Sequence, residues 1–259
     1  MKNRWLPGLI GLLAGAMAAC GGDDGRETVA VYAASSLTDA FTEMAPAFEE
    51  ANPEYEAALN FASSSELAVQ INEGAPADVF ASANRAQMDV VDEAGNASEV
   101  ASLSTNELAL GVPADSETVA EFDDIAEPGT ILIVAAPDVP VGALTRAALD
   151  ALVGSGVRDA AFRDRALHNV ASEEPNVRAV LAKLELGEAD AGFVYGSDVG
   201  VAGQAVRQIE IPEEGRLSSD YFIALVGDAG PGAQAFFAFA LSEEGQAILK
   251  RHGFGATSQ

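Results

Sequence analysis

Short apolar runs alternate with amphipathic segments along almost the whole of this chain, and that alternation restricts it to parallel α/β layering. The first series predicts strand 28–33 and helix 37–50, strand 55–61 and helix 66–72, then strand 78–82 and helix 85–94. Pro53, Pro76 and Gly95 fall between these segments rather than inside them, as chain-breaking residues should. A second series begins near Glu107, with strands at 108–112 and 131–135, helices at 142–152 and 177–186, and a strand at 191–195. Strands at 208–211 and 221–226 precede terminal helices at 232–241 and 242–251, where Gly253 supplies a stop.

The chain has 259 residues, 49% hydrophobic and 21% charged, enough to bury a large core and to form two lobes. Its start differs from the rest. Lys2 and Arg4 precede an apolar run from Leu6 to Ala19, the pattern of a secretory signal and too short to span a bilayer. The run ends at Met17-Ala18-Ala19-Cys20, and Cys20 is the single cysteine. This resembles a bacterial lipobox, with Met17 where the pattern usually has Leu. Residues 1–19 are therefore expected to be a lipoprotein signal peptide, Cys20 the lipidated residue and 20–27 a tether. Two acyl chains on Cys20 would give a stable membrane anchor.

The formal net charge is −26, and loss of Lys2 and Arg4 with the signal makes it more negative. Nucleic acid and anionic lipid headgroups are thereby poor partners. The acidic residues are spread without a long block, as on a solvated surface.

Two serine-rich turns stand where strands give way to helices: Ser35-Ser36 and Ser63-Ser64-Ser65. Such junctions aim backbone N–H groups at whatever lies above them. Ser36 with Asp39, and Ser63 with Glu66, also fit capping boxes, which need no ligand. The serines outnumber the caps, however. Two further helix starts, at Pro137-Asp138-Val139-Pro140-Val141-Gly142 and Glu173-Glu174-Pro175-Asn176-Val177-Arg178, have the same strand-to-helix form without the hydroxyls. Four helix N-termini, two from each half, can converge on one dianion through amides, hydroxyls and dipoles, with no cationic side chain.

An enzyme fits poorly. Only His168 and His252 could serve as imidazole bases, no G-x-S-x-G elbow occurs, and two histidines with one cysteine make no credible metal set. His252 beside Gly253 reads as a helix C-cap, and the paired acids Glu173-Glu174 and Asp123-Asp124 as solvated. No cofactor is expected.

The segments VYAASSLTDAF, FASSSELAVQINEGAPADVFASA, PDVPVGALTRAAL, NVRAVLAKLELGEADAGFVYGSD and EEGQAILKRHGF resemble, in order from Thr28 to Phe254, the periplasmic molybdate-binding proteins of ABC importers, the ModA family. The resemblance implies a two-lobed, type II periplasmic-binding-protein fold with the ligand cleft between lobes, here 28–105 with 218–259 as lobe 1 and 106–217 as lobe 2. It implies that a tetrahedral oxyanion is held by two serines, two backbone amides and a tyrosine. Those positions fall on Ser36, Ser64, Val141, Val177 and Tyr195, with Thr38 and Asp39 left as cap and surface residues. Molybdate or tungstate is then a transported ligand, Mo or W being held only as the oxyanion, and the partners are an ABC permease with its ATPase. An extracytoplasmic monomer, lipid-anchored to the cell membrane at its periplasmic face or outer surface, is expected. A carrier for another oxyanion such as sulfate, or an oxyanion sensor without a transporter, remains the alternative.

The chemistry of such a pocket discriminates. Molybdate and tungstate carry acceptor oxygens and no proton at neutral pH, so donors alone satisfy them. Hydrogen phosphate would bring an O–H with no acceptor to meet it, a mismatch of about 1–3 kcal/mol when buried. Sulfate differs from molybdate chiefly in size.

Overall fold

The computed structural model describes residues 25–257. The predicted signal peptide and Cys20 lie outside the described residues. The predicted tether runs into the first strand, because Glu27 already sits opposite Tyr55 in the sheet.

Strand β1 (Glu27–Ala34) passes through a 3-10 turn (Ser35–Leu37) into α1 (Thr38–Ala51). Then follow β2 (Tyr55–Ala62), α2 (Ser64–Asn72), β3 (Val79–Ser82) and α3 (Arg85–Glu93). The long β4 (Ala97–Pro113) leads to β5 (Leu132–Ala135), α4 (Pro140–Gly154) and α5 (Ala160–His168). Next come β6 (Val170–Glu174), α6 (Val177–Glu185), β7 (Ala191–Tyr195) and α7 (Gly196–Ala202). The chain closes with β8 (Val206–Ile209), β9 (Ser218–Val226), α8 (Pro231–Leu241) and α9 (Glu243–Arg251).

Several helices start where a side chain accepts an otherwise orphaned N–H. Ser63 takes Glu66, Asn84 takes Gln87, Asp159 takes Phe162, Asn176 takes Ala179 and Ser242 takes Gly245. Pro140 and Pro231 open α4 and α8, where a missing N–H is harmless. At the far end of α9, His252 is the C-cap and Gly253 follows at φ +84°, a conformation that favours glycine.

The strands hydrogen-bond in the order β2-β1-β3-β9-β4-β7-β5-β6, with β8 attached to β4. β1 lies parallel between β2 and β3, and β5 lies parallel between β6 and β7. β4 joins the two halves. Residues 97–107 pair with β9, whereas Leu108 to Pro113 pair with β7 and β8. At the changeover the Leu108 N–H donates to the Leu217 carbonyl at 2.8 Å, so the chain crosses twice at one place.

Aromatic groups pack in both halves of one continuous core. Phe41 and Phe48 of α1 meet Phe236 of α8 edge to face, with centroids 5.8 and 5.1 Å apart. Phe122, Phe162 and Phe193 cluster in the other half. Burial of each such ring contributes about 1.5–3 kcal/mol.

The structure departs from the predicted elements in particular places. β4 begins eleven residues before the predicted strand 108–112; its first part is half-exposed, carries register shifts and has Glu99 at φ +47°, so no clean alternation marks it. α5 buries only Phe162 and Ala166, and β6 is an edge strand with charged residues. Both lack the apolar periodicity that identifies elements in sequence. α7 is glycine-rich and reads locally as loop. α4 starts at Pro140, two residues before the predicted helix.

Candidate functional site

Ser36, Ser64, Val141, Val177 and Tyr195, which lie far apart in sequence, line a single cavity together with Ala34, Ser35, Ser63, Ala83, Val139 and Pro140. The cavity is small, about 10 Å³. Each wall is made of strand-to-helix junctions: β1 to α1 and β2 to α2 on one side, β5 to α4 and β6 to α6 on the other, with Tyr195 at the end of β7. These are carboxyl ends of parallel strands, where open α/β sheets present their binding crevices.

The helix starts leave donors free. In α6 the Asn176 side chain takes the Ala179 N–H at 3.0 Å, which leaves the amide of Val177, the first helical residue, without an intrahelical acceptor. Val141 is the second residue of α4 and is in the same position. The α4 terminus sits tightly on β5: a Cβ on Gly142 would lie 2.1 Å from the Ala136 carbonyl oxygen and 2.4 Å from that of Ala135. Only glycine permits that approach. Arg146 reinforces it, donating to the Ala135 and Gly142 carbonyls at 3.1 and 2.9 Å and pairing with Glu173.

The two serine turns differ. Ser63 caps α2, accepting the Glu66 N–H at 3.2 Å as the motif predicts. Ser64 is buried, and its oxygen accepts the Ala83 N–H at 2.9 Å. In the first turn the predicted Ser36–Asp39 capping box does not form. Ser36 instead shares a hydrogen bond with the Tyr221 hydroxyl at 2.8 Å, because a 3-10 turn intervenes before α1 and withdraws Ser36 from the cap position. Thr38 donates to the Ser35 carbonyl at 2.6 Å. Asp39 is not simply a surface residue either: it pairs with Arg178 of α6 at 2.5 Å, across the cleft.

Arg178 follows the lining residue Val177, and its charge is already matched. Besides Asp39 it faces Asp198 at 3.0 Å and reaches the Ser36 carbonyl at 3.5 Å. Asp198 is fully buried. Burial pushes its carboxyl up to about 6, against the opposing pull of Arg178 and of the Tyr195 N–H, which it accepts at 3.0 Å. Among the described residues, no charged side chain lines the cavity.

Tyr195 is 1% exposed, and its hydroxyl, with Tyr221 and Ser219 as polar neighbours, makes no hydrogen bond of good geometry with either. Burial, followed by the neighbouring Tyr221 and Asp198, drives its pKa well above the ordinary phenol value. The group is therefore a protonated donor at any physiological pH. A buried donor without an acceptor is destabilising by about 1–3 kcal/mol, and this one sits at the cavity wall. His252 is the C-cap that the sequence suggested and also contacts Glu43 at 2.7 Å. No group of His, Cys, Asp and Glu suited to a metal ion occurs among the described residues, and none of their helices is long and apolar enough to cross a membrane.

The family description "Bacterial extracellular solute-binding protein" matches residues 29–255. The molybdate-binding protein ModA of Mycobacterium tuberculosis is 35% identical, over 97% of this chain and 98% of its own length. The chain belongs to the ModA family. The ModA protein of Escherichia coli is 32% identical over 98% of this chain and 99% of its own length. In three dimensions, the periplasmic molybdate-binding protein of Azotobacter vinelandii superposes with a TM-score of 0.75 at 20% identity, covering 89% of this chain and all of the other. The fold is the two-lobed, type II periplasmic-binding-protein fold.

Family motifs lead to the five lining residues but not to those behind them. Tyr221, Asp198 and Arg178 were not singled out by sequence. Arg178 follows Val177 in the motif NVR and Asp198 closes GFVYGSD, so both were visible as letters without a role. Nothing local marks Tyr221, an alternating residue of β9.

Proposed function

We propose that this protein is an extracytoplasmic carrier of molybdate, and of tungstate with it, that delivers the oxyanion to an ABC permease and its ATPase. The reading rests chiefly on the orphaned Tyr195 hydroxyl at a cavity lined by donors and free of charged side chains. A tetrahedral dianion supplies the acceptor that this phenol lacks. The Ser36 and Ser64 hydroxyls and the Val141 and Val177 amides would complete the shell. The names of the M. tuberculosis and E. coli relatives support molybdate as the ligand.

We read the protein as a binder rather than an enzyme, in keeping with its family of solute-binding proteins. The lobes are taken as 28–105 with 218–259, and 106–217, in keeping with the exchange of partners along β4. We assign Cys20 as the lipid anchor of an extracytoplasmic monomer, at the periplasmic face or outer surface of the cell membrane; Cys20→Ser protein is expected to leave the membrane fraction, and full retention there would refute the anchor.

Each hydrogen bond to the charged ligand is worth about 1.5–3 kcal/mol. Ser36→Ala and Ser64→Ala are each expected to weaken molybdate binding about tenfold or more, read by titration calorimetry beside a thermal-shift panel of molybdate, tungstate, sulfate and phosphate. Unchanged affinity in both variants would remove the site assignment.

A further inference from the structure

Ser36 and Ser64 are held from behind by different groups with the same consequence. A hydroxyl has one proton and two acceptor positions. The Ala83 N–H occupies an acceptor position on Ser64 at 2.9 Å, and an amide can only donate. Ser64 therefore keeps its proton for the cavity. Tyr221 stands in the equivalent place for Ser36, at 2.8 Å.

Tyr221 is completely buried in β9, packed edge to face on Tyr195 and on Phe254 with centroids 5.9 and 5.4 Å away. Burial keeps its phenol protonated far above neutral pH. That proton needs an acceptor, and Ser36 Oγ is the oxygen at hydrogen-bond distance. The Tyr195 phenol and the Asn106 side chain are the other polar neighbours of Tyr221, and neither meets it in hydrogen-bond geometry. The Asn106 side chain is engaged with Ser197, donating to its hydroxyl at 2.7 Å and accepting its N–H at 3.4 Å.

We propose that Tyr221 is a positioning residue that sets ligand specificity: by donating to Ser36 Oγ it turns the Ser36 proton into the cleft and presents that serine to the ligand as a donor. The chain Tyr221 to Ser36 to ligand is polarised in one direction. A fully deprotonated oxyanion fits it. A protonated oxyanion presents an O–H that Ser36 can accept only on its remaining lone pair, which turns the Ser36 proton away from the ligand. Selectivity against protonated oxyanions thus originates one residue behind the ligand shell.

This inference rests on the oxyanion-binding reading, and the experiment separates the two. Calorimetric titrations at pH 8 compare molybdate with hydrogen phosphate for the unaltered protein and for Tyr221→Phe. The variant should lose about tenfold in molybdate affinity and none for hydrogen phosphate, because the freed Ser36 oxygen can now accept. The molybdate-to-phosphate ratio should therefore fall about tenfold. Equal losses for both anions, or no loss for molybdate, would overturn the positioning role. An unaltered protein that ignores molybdate would overturn the site reading itself.

Should Tyr221→Phe fail to fold, the unaltered protein labelled at tyrosine Cζ gives the answer. Of its four tyrosines, Tyr195 and Tyr221 are both expected to shift on saturation with molybdate, Tyr221 without touching it. These two are assigned by Tyr195→Phe, Tyr32→Phe and Tyr55→Phe. A response confined to Tyr195 would refute the relay.

Discussion

The two walls of the cleft supply hydrogen-bond donors by different means. The first wall, from β1 and β2, adds serine hydroxyls at its helix starts, each backed by a fixed donor. The second, from β5 and β6, has Val141 and Val177 at the corresponding points, and there only the main chain can donate. A hydroxyl wall can be altered by point substitution and can be given a direction, as Tyr221 gives Ser36. An amide wall is indifferent to side chains but depends on backbone placement, which is why Gly142 must fit beneath the Ala135 and Ala136 carbonyls.

That contrast can be broken most sharply at Val177. It is the first residue of α6, where proline is well tolerated, and the preceding Asn176 is already extended at φ −161° and ψ 170°, as a residue before proline prefers. Val177→Pro should therefore leave the melting temperature nearly unchanged while removing one donor, with molybdate affinity down about tenfold or more. Val177→Ala, which keeps the amide, should change affinity by no more than about twofold by the same titration. If the two variants behave alike, the amide is not the binding group and the distinction between the walls fails.

The smallest expected effect concerns three carboxyl groups with shifted titration, Asp198, Glu43 and Glu174. Asp198 has its carboxyl raised to about 6 from an ordinary 3.8. Its contribution to stability is complete below the ordinary value and is lost as pH rises through about 6. Glu43 and Glu174 act oppositely. Hydrogen bonds from Arg251 and His252 hold the Glu43 carboxyl low. Burial works to raise Glu174, but hydrogen bonds from Lys183 and Ser172 outweigh it. Their stabilisation is present above the ordinary 4.5 and disappears as pH falls through their lowered values. The melting temperature followed by circular dichroism should climb modestly from about pH 7 to 5 and drop below about pH 4. Asp198→Asn should reduce the climb; an unchanged profile would show that Asp198 is not the titrating group.

Much of the fold was legible because its elements obey local rules. β1, β2 and β7 appear within a residue of their predicted limits, and the helix starts carry caps and prolines where the letters suggest them. The lining residues were legible through motifs that recur at strand ends. What sequence could not show is contact between distant positions. Tyr221 reaches Ser36 across 185 residues, and Asp39 meets Arg178 only because two junctions face each other. Ser36 illustrates the limit: its spacing to Asp39 fits a capping box, yet a short 3-10 turn redirects its hydroxyl to a partner that no local pattern predicts.

The uncharged lining has a kinetic consequence. With Arg178 matched by Asp39 and Asp198, no exposed cation among the described residues stands at the cavity wall to draw in a dianion, and the chain as a whole carries a formal charge of −26. The anion must approach against repulsion until it touches the donors. Dissolved salt shortens the reach of that repulsion, to about 8 Å at physiological strength, but screens buried contacts much less. Capture should therefore quicken as the medium becomes more saline, the reverse of steering by a basic patch, while the buried donors keep most of their hold on the occupant.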